Sequence, residues 1–168
     1  MELLEPACKC CGGQTHFFAG YDFSRTCEDQ DRPVFAKSGI DVPYYRCSSC
    51  GFVFTTYFDK WSKQTFADRI YNSEYILADP EFAAIRPKYI AEQLGVLLDN
   101  VPADIKILDY GGGEGKLIQE LKLRGFERCE SYDPFFSDGS RPEGSFNLIT
   151  AFAVAEHTAD PILLFQDA

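Results

Sequence analysis

IKILDYGGGEGKL, residues Ile105–Leu117, is the stretch that decides the fold of this 168-residue chain. An apolar run of β-type residues leads into Asp109, a glycine-dense turn follows, and a helical pattern begins. The glycines Gly111, Gly113 and Gly115 lack a Cβ, so the backbone can turn sharply while a ligand lies against it. This order is typical of a nucleotide-type cofactor site at the edge of a parallel sheet. A glycine turn that binds no ligand is the alternative.

Two common phosphate-binding motifs do not fit this turn. A Walker loop requires a glycine five residues before Gly115 and Ser or Thr after Lys116, where the chain has Tyr110 and Leu117. The dinucleotide motif G-x-G-x-x-G, counted from Gly111, would need a glycine at position 116. The motif that is present reads D-x-G-x-G-x-G.

This arrangement resembles motif I of the class I S-adenosylmethionine (SAM) methyltransferases. In that family the glycine turn faces the methionine part of the cofactor, and an acid at the end of the second strand holds the ribose hydroxyls. Here the run Arg128–Tyr132 ends in Asp133, close to the roughly 20-residue offset expected of a ribose-binding acid. Asp133 precedes Pro134, so opening a turn is its alternative role. The resemblance implies a cofactor-binding set of Asp109, Gly111, Gly113, Gly115 and Asp133.

Paired cysteine motifs are the second strong signal. The sequences CKCCG at 8–12 and CSSCG at 47–51 each contain C-x-x-C followed by glycine, which is the form of a zinc knuckle. Two knuckles predict one tetrahedral site, and its role is structural because four thiolates leave no open coordination position. Cys10 is an alternative to Cys8 as the first ligand, and Cys27 and Cys129 remain spare. The predicted zinc ligands are Cys8, Cys11, Cys47 and Cys50.

Disulfides are the alternative interpretation of these cysteines. Seven is an odd count, and the start MELLEPACKC has neither the basic region nor the apolar core of a secretion signal. A reducing compartment, the cytoplasm, is therefore expected.

Composition limits the function further. A hydrophobic content of 45% allows a real core, and the length allows one ordinary domain plus a small one. No apolar run is long enough to cross a bilayer, so no membrane partner is expected. A net charge of -10 repels phosphate backbones, which disfavours a zinc-dependent nucleic-acid reader. The expected partner is a small-molecule substrate.

Aromatic residues crowd around the second cysteine motif. They predict either the large side chains of a small zinc module with a thin core, or an aromatic wall that faces a substrate. The residues are Tyr44, Tyr45, Phe52, Phe54, Tyr57, Phe58 and Trp61.

Turn residues and hydrophobic periodicity predict three parts, at 1–58, 59–100 and 101–168. The first is the zinc-binding module and the second a helical bridge or cap, and the resemblance implies that the third is a shortened SAM-binding domain. A helical pattern covers Lys60–Leu77. A second helix carries Pro87 in its first turn. Its predicted inner face is Ile90, Leu94, Leu97 and Leu98. A third helix has the predicted inner face Leu117, Ile118 and Leu121 and ends at Gly125.

The run Phe146–Phe152, reading FNLITAF, is a buried-strand candidate followed by Glu156 and His157. It resembles the strand-four region of the methyltransferases, at the sheet edge where ligands bind. His157 is the predicted catalytic base because imidazole titrates near neutral pH, and Glu156 would orient it or bind substrate. A structural hydrogen-bonding histidine is the alternative. Ala153 stands where close relatives often have Glu, and the resemblance implies that this departure weakens a contact near the transferred methyl.

The resemblance extends to methyltransferases with an N-terminal cysteine module, through a segment like Ile70-Tyr71-Asn72-x-x-Tyr75. It implies that Tyr71 and Tyr75 cover the cofactor, and packing against the following helix is the alternative. Several of these relatives methylate sugars or other small metabolites. The implied function is SAM-dependent methyl transfer to a small hydroxyl-bearing molecule, and the alternative is a non-catalytic zinc protein that acts as a binding or scaffold module.

The predicted fold class is α/β: a shortened Rossmann-like methyltransferase sheet with a small zinc-ribbon-like β module before it. Family members commonly have seven strands. In this chain the segment between Asp133 and Phe146 is long enough only for a short loop in place of the usual third strand with its helices. Strand four would then have an apolar edge, and natural proteins cover such edges. A natural short form, a fragment, and a homodimer that covers the edge are the alternatives. We expect covering by dimerisation or by the zinc module.

Overall fold

The computed structural model describes residues 5–29, 31–134 and 140–168. It confirms a mixed α/β chain with two three-stranded sheets. The chain divides into two compact units, Met1–Asp79 with Thr158–Asp167, and Pro80–His157 with Ala168. The strands are β1 (Thr15–Asp22), β2 (Asp41–Cys47), β3 (Val53–Phe54), β4 (Ile107–Tyr110), β5 (Cys129–Tyr132) and β6 (Leu148–Thr150). The helices are α1 (Lys63–Arg69), α2 (Tyr75–Ala78), α3 (Ile85–Leu97), α4 (Lys116–Leu123) and α5 (Pro161–Asp167).

The first unit contains an antiparallel sheet in the order β1-β2-β3. Thr15 of β1 lies opposite Cys47 at the end of β2, so the strand pairing brings the start of β1 to the second cysteine motif. The first cysteine motif immediately precedes β1. The buried apolar cluster beside the two motifs is small and consists of Cys8, Cys47 and Phe54.

Within the long insert between the two cysteine motifs, the loop between β1 and β2 is held by one carboxylate at the end of β1. Asp22 accepts backbone hydrogen bonds from Ser38, Ser24 and Gly39, at 3.0, 2.9 and 2.9 Å. These donors hold the pKa of the Asp22 carboxyl well below its usual range. One short side chain therefore joins the two ends of the loop between β1 and β2.

The second unit contains a parallel sheet in the order β5-β4-β6. Both neighbours run parallel to β4, and all four β4 residues are buried. Asp109 of β4 lies opposite Ser131 of β5 and Thr150 of β6. The carboxyl ends of the three strands therefore meet at one edge of the sheet.

Helix α4 packs on this sheet through the three residues predicted to face inward. Leu117, Ile118 and Leu121 are all buried, and they join a cluster with residues of α3 and of β4 and β5. The helix ends as predicted at Gly125, whose φ is 93°. The N–H of Gly125 donates to Lys122 and that of Phe126 to Leu121, which is a Schellman motif.

Two details of the predicted helices are wrong. Leu97 was predicted on the inner face of α3, but its side chain is 76% exposed and Ala91 is buried in its place beside Leu94. The helical pattern predicted over Lys60–Leu77 is interrupted, because the Asn72 side chain and carbonyl accept the N–H groups of Glu74 and Tyr75. This local turn separates α1 from α2.

The strand predicted at Phe146–Phe152 is shorter than expected, since β6 covers three residues. Just before it, the Asn147 side chain accepts the backbone N–H of Lys106 at 2.8 Å. Residues 140–147 contain no helix or strand. Among the helices of the described residues, none is both long and apolar enough to span a membrane.

Candidate functional site

The glycine turn after β4 has the backbone conformation that its glycines allow. The φ angles of Gly111, Gly113 and Gly115 are 76°, 55° and 71°, in the left-handed region that other residues rarely adopt. Gly115 is the residue before the first turn of α4. The N–H of Gly111 donates to the carbonyl of Tyr132 at 2.6 Å, which ties the turn to the end of β5.

The predicted ribose acid lies at this turn. The N–H of Gly113 donates to the carboxylate of Asp133 at 2.9 Å. The turn follows β4 and the acid follows β5, so the fold brings together two residues that are 20 positions apart. Because β4 lies between β5 and β6, this edge is also where the strand order reverses, and open α/β sheets bind ligands in the crevice there.

A row of polar side chains crosses the sheet beneath the turn. The hydroxyl of Thr150 donates to Asp109 at 2.9 Å. Burial raises the pKa of the Asp109 carboxyl to about 6, against the hydrogen bond from Thr150, and the negative charge of Asp133 adds to the rise. The Ser131 hydroxyl is buried and has no hydrogen-bond partner among the described residues.

No sequence motif predicted Ser131 or Thr150 as part of the site. Both are neutral residues in short strands, and they meet Asp109 only because parallel pairing puts the three in register. An unpaired buried hydroxyl costs about 1–3 kcal/mol, so Ser131 is a group that a ligand or water would satisfy.

Gly112 is also required, although it is outside the D-x-G-x-G-x-G motif. A Cβ at this position would lie 2.5 Å from the Ser131 hydroxyl and closer still to the carboxylate of Asp109. The turn therefore lies directly against the polar row, with no space for a side chain between them.

The loop after β6 carries the predicted catalytic residues. Glu156 and His157 lie in a single 3-10 turn, Ala155–His157, and both are exposed. Ala153 has a φ of 54°, an uncommon conformation for a residue with a Cβ. The loop reaches the glycine turn, because a Cβ on Gly111 would lie 2.5 Å from a methyl group of Val154. The catalytic roles of Glu156 and His157 remain predictions.

The two predicted cofactor-covering tyrosines lie together in the first unit. The ring centroids of Tyr71 and Tyr75 are 5.2 Å apart, and Tyr71 also stacks on Phe66 at 6.5 Å. The Tyr75 hydroxyl lies 3.5 Å from the carboxylate of Asp79. Both side chains are half-buried, and their role toward a cofactor remains a prediction.

The four cysteines predicted as zinc ligands form one group, with sulfur atoms all within 4.8 Å of one another. The Sγ atoms of Cys8 and Cys50 are 3.7 Å apart, and those of Cys11 and Cys47 are 3.5 Å apart. Four sulfurs held about 2.3 Å from one zinc ion would be about 3.8 Å apart. The group therefore has the size of a tetrahedral zinc site, and Cys10 lies outside it.

The backbone around the Cys47 sulfur favours a thiolate at this position. The N–H groups of Cys50 and Ser49 point to the Cys47 sulfur at 3.5 and 3.4 Å, and they lower the pKa of this thiol to about 6. Gly12 and Gly51 follow the motifs with φ angles of 72° and 77°. Each motif thus turns back on itself so that its two sulfurs face the same point.

Many aromatic residues of the first unit contact one another. Trp61 has ring contacts with Phe23, Tyr57, Phe58 and Phe66, at centroid distances from 5.0 to 5.8 Å. Two other aromatic residues of the predicted group, Tyr45 and Phe52, pack against the thin cysteine core, in agreement with the first interpretation. A substrate-facing role remains a prediction.

Comparison with known proteins identifies the class to which this site belongs. A family model described as a methyltransferase domain matches residues 82–168, which are 87 of the 168 residues. The match includes the glycine turn, Asp133 and the loop after β6. The chain belongs to this methyltransferase family, which confirms the resemblance to class I SAM methyltransferases and implies the use of SAM. Among curated proteins, none matches the chain.

Proposed function

We propose that the chain transfers a methyl group from SAM to a small hydroxyl-bearing molecule, such as a sugar or a related metabolite. Methyl transfer follows from the family, and the substrate class is our proposal. The observation that carries it is the hydrogen bond of 2.9 Å from the Gly113 N–H to Asp133. It joins the cofactor-type turn and the ribose-type acid at one edge of the sheet.

We interpret the sheet as a shortened Rossmann-like fold. The order β5-β4-β6, with all strands parallel and the glycine turn after the central strand, supports this interpretation. In this proposal residues 1–58 are the zinc module, residues 59–100 are the bridge, and residues 101–168 are the cofactor domain.

The residues at the edge fit the chemistry of SAM. When bound, SAM supplies a methyl group on a positively charged sulfonium. The carboxylates of Asp109 and Asp133 give the edge a complementary negative charge, and Asp133 can accept hydrogen bonds from ribose hydroxyls. The glycine turn allows close approach to the backbone. The unpartnered Ser131 hydroxyl is a further donor beneath it.

The remaining residues have proposed roles around this site. His157 would accept the proton of the substrate hydroxyl, with Glu156 orienting it or binding substrate. Tyr71 and Tyr75 would cover the cofactor. Most of the acceleration would come from positioning the acceptor, which is worth about 7–11 kcal/mol in favourable cases. Zinc would stabilise the first unit without taking part in the transfer.

Isothermal titration of the full chain with SAM tests the proposal. We expect binding in the micromolar range, and its loss in Asp133→Ala. Glu130→Ala is the matched control, because Glu130 is an exposed acid three residues earlier on β5 and should leave binding unchanged. Circular dichroism checks that all three proteins are folded. An absence of heat with the folded wild-type chain, or equal binding by Asp133→Ala, would contradict the proposed cofactor site.

A non-catalytic binding or scaffold module is the second candidate, and Val154 is the observation that favours it. Its methyl groups pack directly against Gly111, so that part of the turn is covered. This role predicts zinc binding without any heat from SAM. Val154→Ala then separates the candidates: it should strengthen SAM binding if the turn is a working site that Val154 partly covers.

A further inference from the structure

We propose that the solvent side of α3 is a self-association surface that joins two copies of this chain in antiparallel orientation. We call it the outer face of α3 and define it by Ile85, Tyr89 and Val96. These residues are 60%, 60% and 76% exposed. A helix on the surface of a soluble domain normally has polar residues on that side.

Helix α3 is apolar on both sides. Its inner side packs on the sheet through Ala91 and Leu94. Leu123, the last residue of α4, is 81% exposed. The neighbouring Arg124 lies 3.7 Å from Glu92 and so links the two helices. Clustered apolar side chains of this kind mark an interaction site.

The geometry of the outer face fits a second copy of the same helix. At about 100° per residue, positions 85, 89 and 96 fall within about 40° of one another and form one stripe. A two-fold antiparallel arrangement would place Ile85 of each copy beside Val96 of the other. Such a pair buries the same surface on both partners, as a symmetric dimer requires.

The charges beside the stripe are self-complementary. Lys88 and Glu92 are exposed and lie one turn apart on the same flank. In the antiparallel pair Lys88 of one copy faces Glu92 of the other, and symmetry gives this contact twice. Helix α3 contains two basic residues and one acidic residue, whereas the whole chain has a net charge of -10. Two copies therefore repel each other less at this face than elsewhere.

This surface differs from the strand edge at which the sequence predicts covering. The edge strand β6 has only three residues, and Ile149 is 38% exposed. Short edge strands are one way in which proteins limit edge pairing. The outer face of α3 is longer and more apolar, so we assign the dimer contact to α3.

Sedimentation velocity of the full chain, from about 1 to 100 μM, tests the assignment. We expect a concentration-dependent dimer, and a monomer throughout this range for Val96→Glu, which places two carboxylates in the apolar contact. Leu163→Glu is the matched control: Leu163 is a 59% exposed leucine on α5 and its replacement should leave the dimer intact. A wild-type chain that stays monomeric at 100 μM, or a dimer that persists in Val96→Glu, overturns the proposal.

A charge exchange tests the register independently of any effect on folding. Lys88→Glu places like charges opposite each other twice and should weaken the dimer about tenfold at low salt. The double variant Lys88→Glu with Glu92→Lys restores opposite charges and should recover most of this loss. No recovery in the double variant overturns the antiparallel register, and a dimer that is lost instead in Ile149→Lys moves the contact to β6.

Discussion

The antiparallel sheet of β1–β3 and the parallel sheet of β4–β6 have the same number of strands but very different cores. Beside the antiparallel sheet the buried cluster has three residues, and two of them are the thiols Cys8 and Cys47. The core of the parallel sheet has eight buried residues from α3, α4, the strands and the loop that contains Phe126, and Ile107 and Leu121 among them have no exposed surface. One sheet has a hydrophobic core, and the other has a cysteine cluster in the place of a core.

This difference indicates which interaction stabilises each unit. Small domains that cannot bury enough apolar surface depend on metals or disulfides, whereas a sheet covered by amphipathic helices is stabilised by burial itself. The stability of the first unit should therefore depend on bound metal, and the stability of the second should depend on the packing of its buried side chains.

The largest expected effect is that of metal removal on the first unit. Structural zinc contributes about 10–16 kcal/mol of apparent binding free energy in small domains, which is folding free energy for them. A chelator, or Cys47→Ser, should unfold the β1–β3 sheet while α4 and β4 stay folded. Fluorescence of Trp61, the single tryptophan, reports on the first unit, and hydrogen exchange at β4 amides reports on the second.

Cys10→Ser is the control for this experiment, because Cys10 is exposed and lies outside the group of four sulfurs. It should leave zinc stoichiometry and Trp61 fluorescence unchanged. If Cys10→Ser removes zinc as Cys47→Ser does, Cys10 is a ligand and the assignment of Cys8 is wrong.

The next largest effect is that of a core truncation in the second unit. Leu121→Ala removes a fully buried side chain between α4 and the sheet, and such changes cost about 2–5 kcal/mol. Hydrogen exchange at β4 should accelerate accordingly, with zinc affinity unchanged. Leu123→Ala on the same helix is the matched control, since Leu123 is 81% exposed and its loss should change stability little. Equal effects of the two variants would contradict the proposed core.

How much of this was predictable from sequence differs between the two units. Local signals predicted the glycine turn, the inner face of α4 and the Schellman end at Gly125, because each depends on residues close together in the chain. Pairing of the two cysteine motifs was also predicted, because a tetrahedral zinc site needs four ligands and each motif supplies two. Leu97 was predicted wrongly because the apolar residues of α3 occupy both faces and periodicity alone does not distinguish them.

Contacts that depend on strand register were not predictable. Ser131 and Thr150 meet Asp109 only after the order and alignment of three strands are known. The polar row beneath the turn is the part of the candidate site that only the fold reveals.

Asp109 gives the second unit a pH dependence that tests this polar row. The pKa of the Asp109 carboxyl is about 6 in the folded chain, above its ordinary value of 3.8. The neutral carboxyl therefore stabilises the folded state fully below pH 3.8, and this stabilisation is lost as pH rises through 6. The loss by pH 7 amounts to about 3 kcal/mol. Asp109→Asn cannot ionise, so its stability relative to wild type should rise by up to this amount between pH 4 and 7. Denaturant unfolding followed at β4 measures the difference in unfolding free energy between the variant and wild type. A difference that does not change with pH would contradict a buried Asp109 carboxyl with a raised pKa.

The smallest expected effect concerns Gly112, and it separates steric need from backbone freedom. A Cβ at Gly112 would lie 2.5 Å from the Ser131 hydroxyl, so Gly112→Ala should cost about 1–3 kcal/mol of unfolding free energy. Gly95→Ala is the matched control: the nearest atom to its Cβ would be 3.9 Å away in a helix, where alanine stabilises by about 0.5–1 kcal/mol. In a Ser131→Gly background the cost of Gly112→Ala should fall by about 1 kcal/mol, because one of the two obstructing groups is gone. If the cost stays the same in both backgrounds, Ser131 does not press against the turn. The close contact between the glycine turn and the polar row would then be disproved, while the core packing of the second unit would be unaffected.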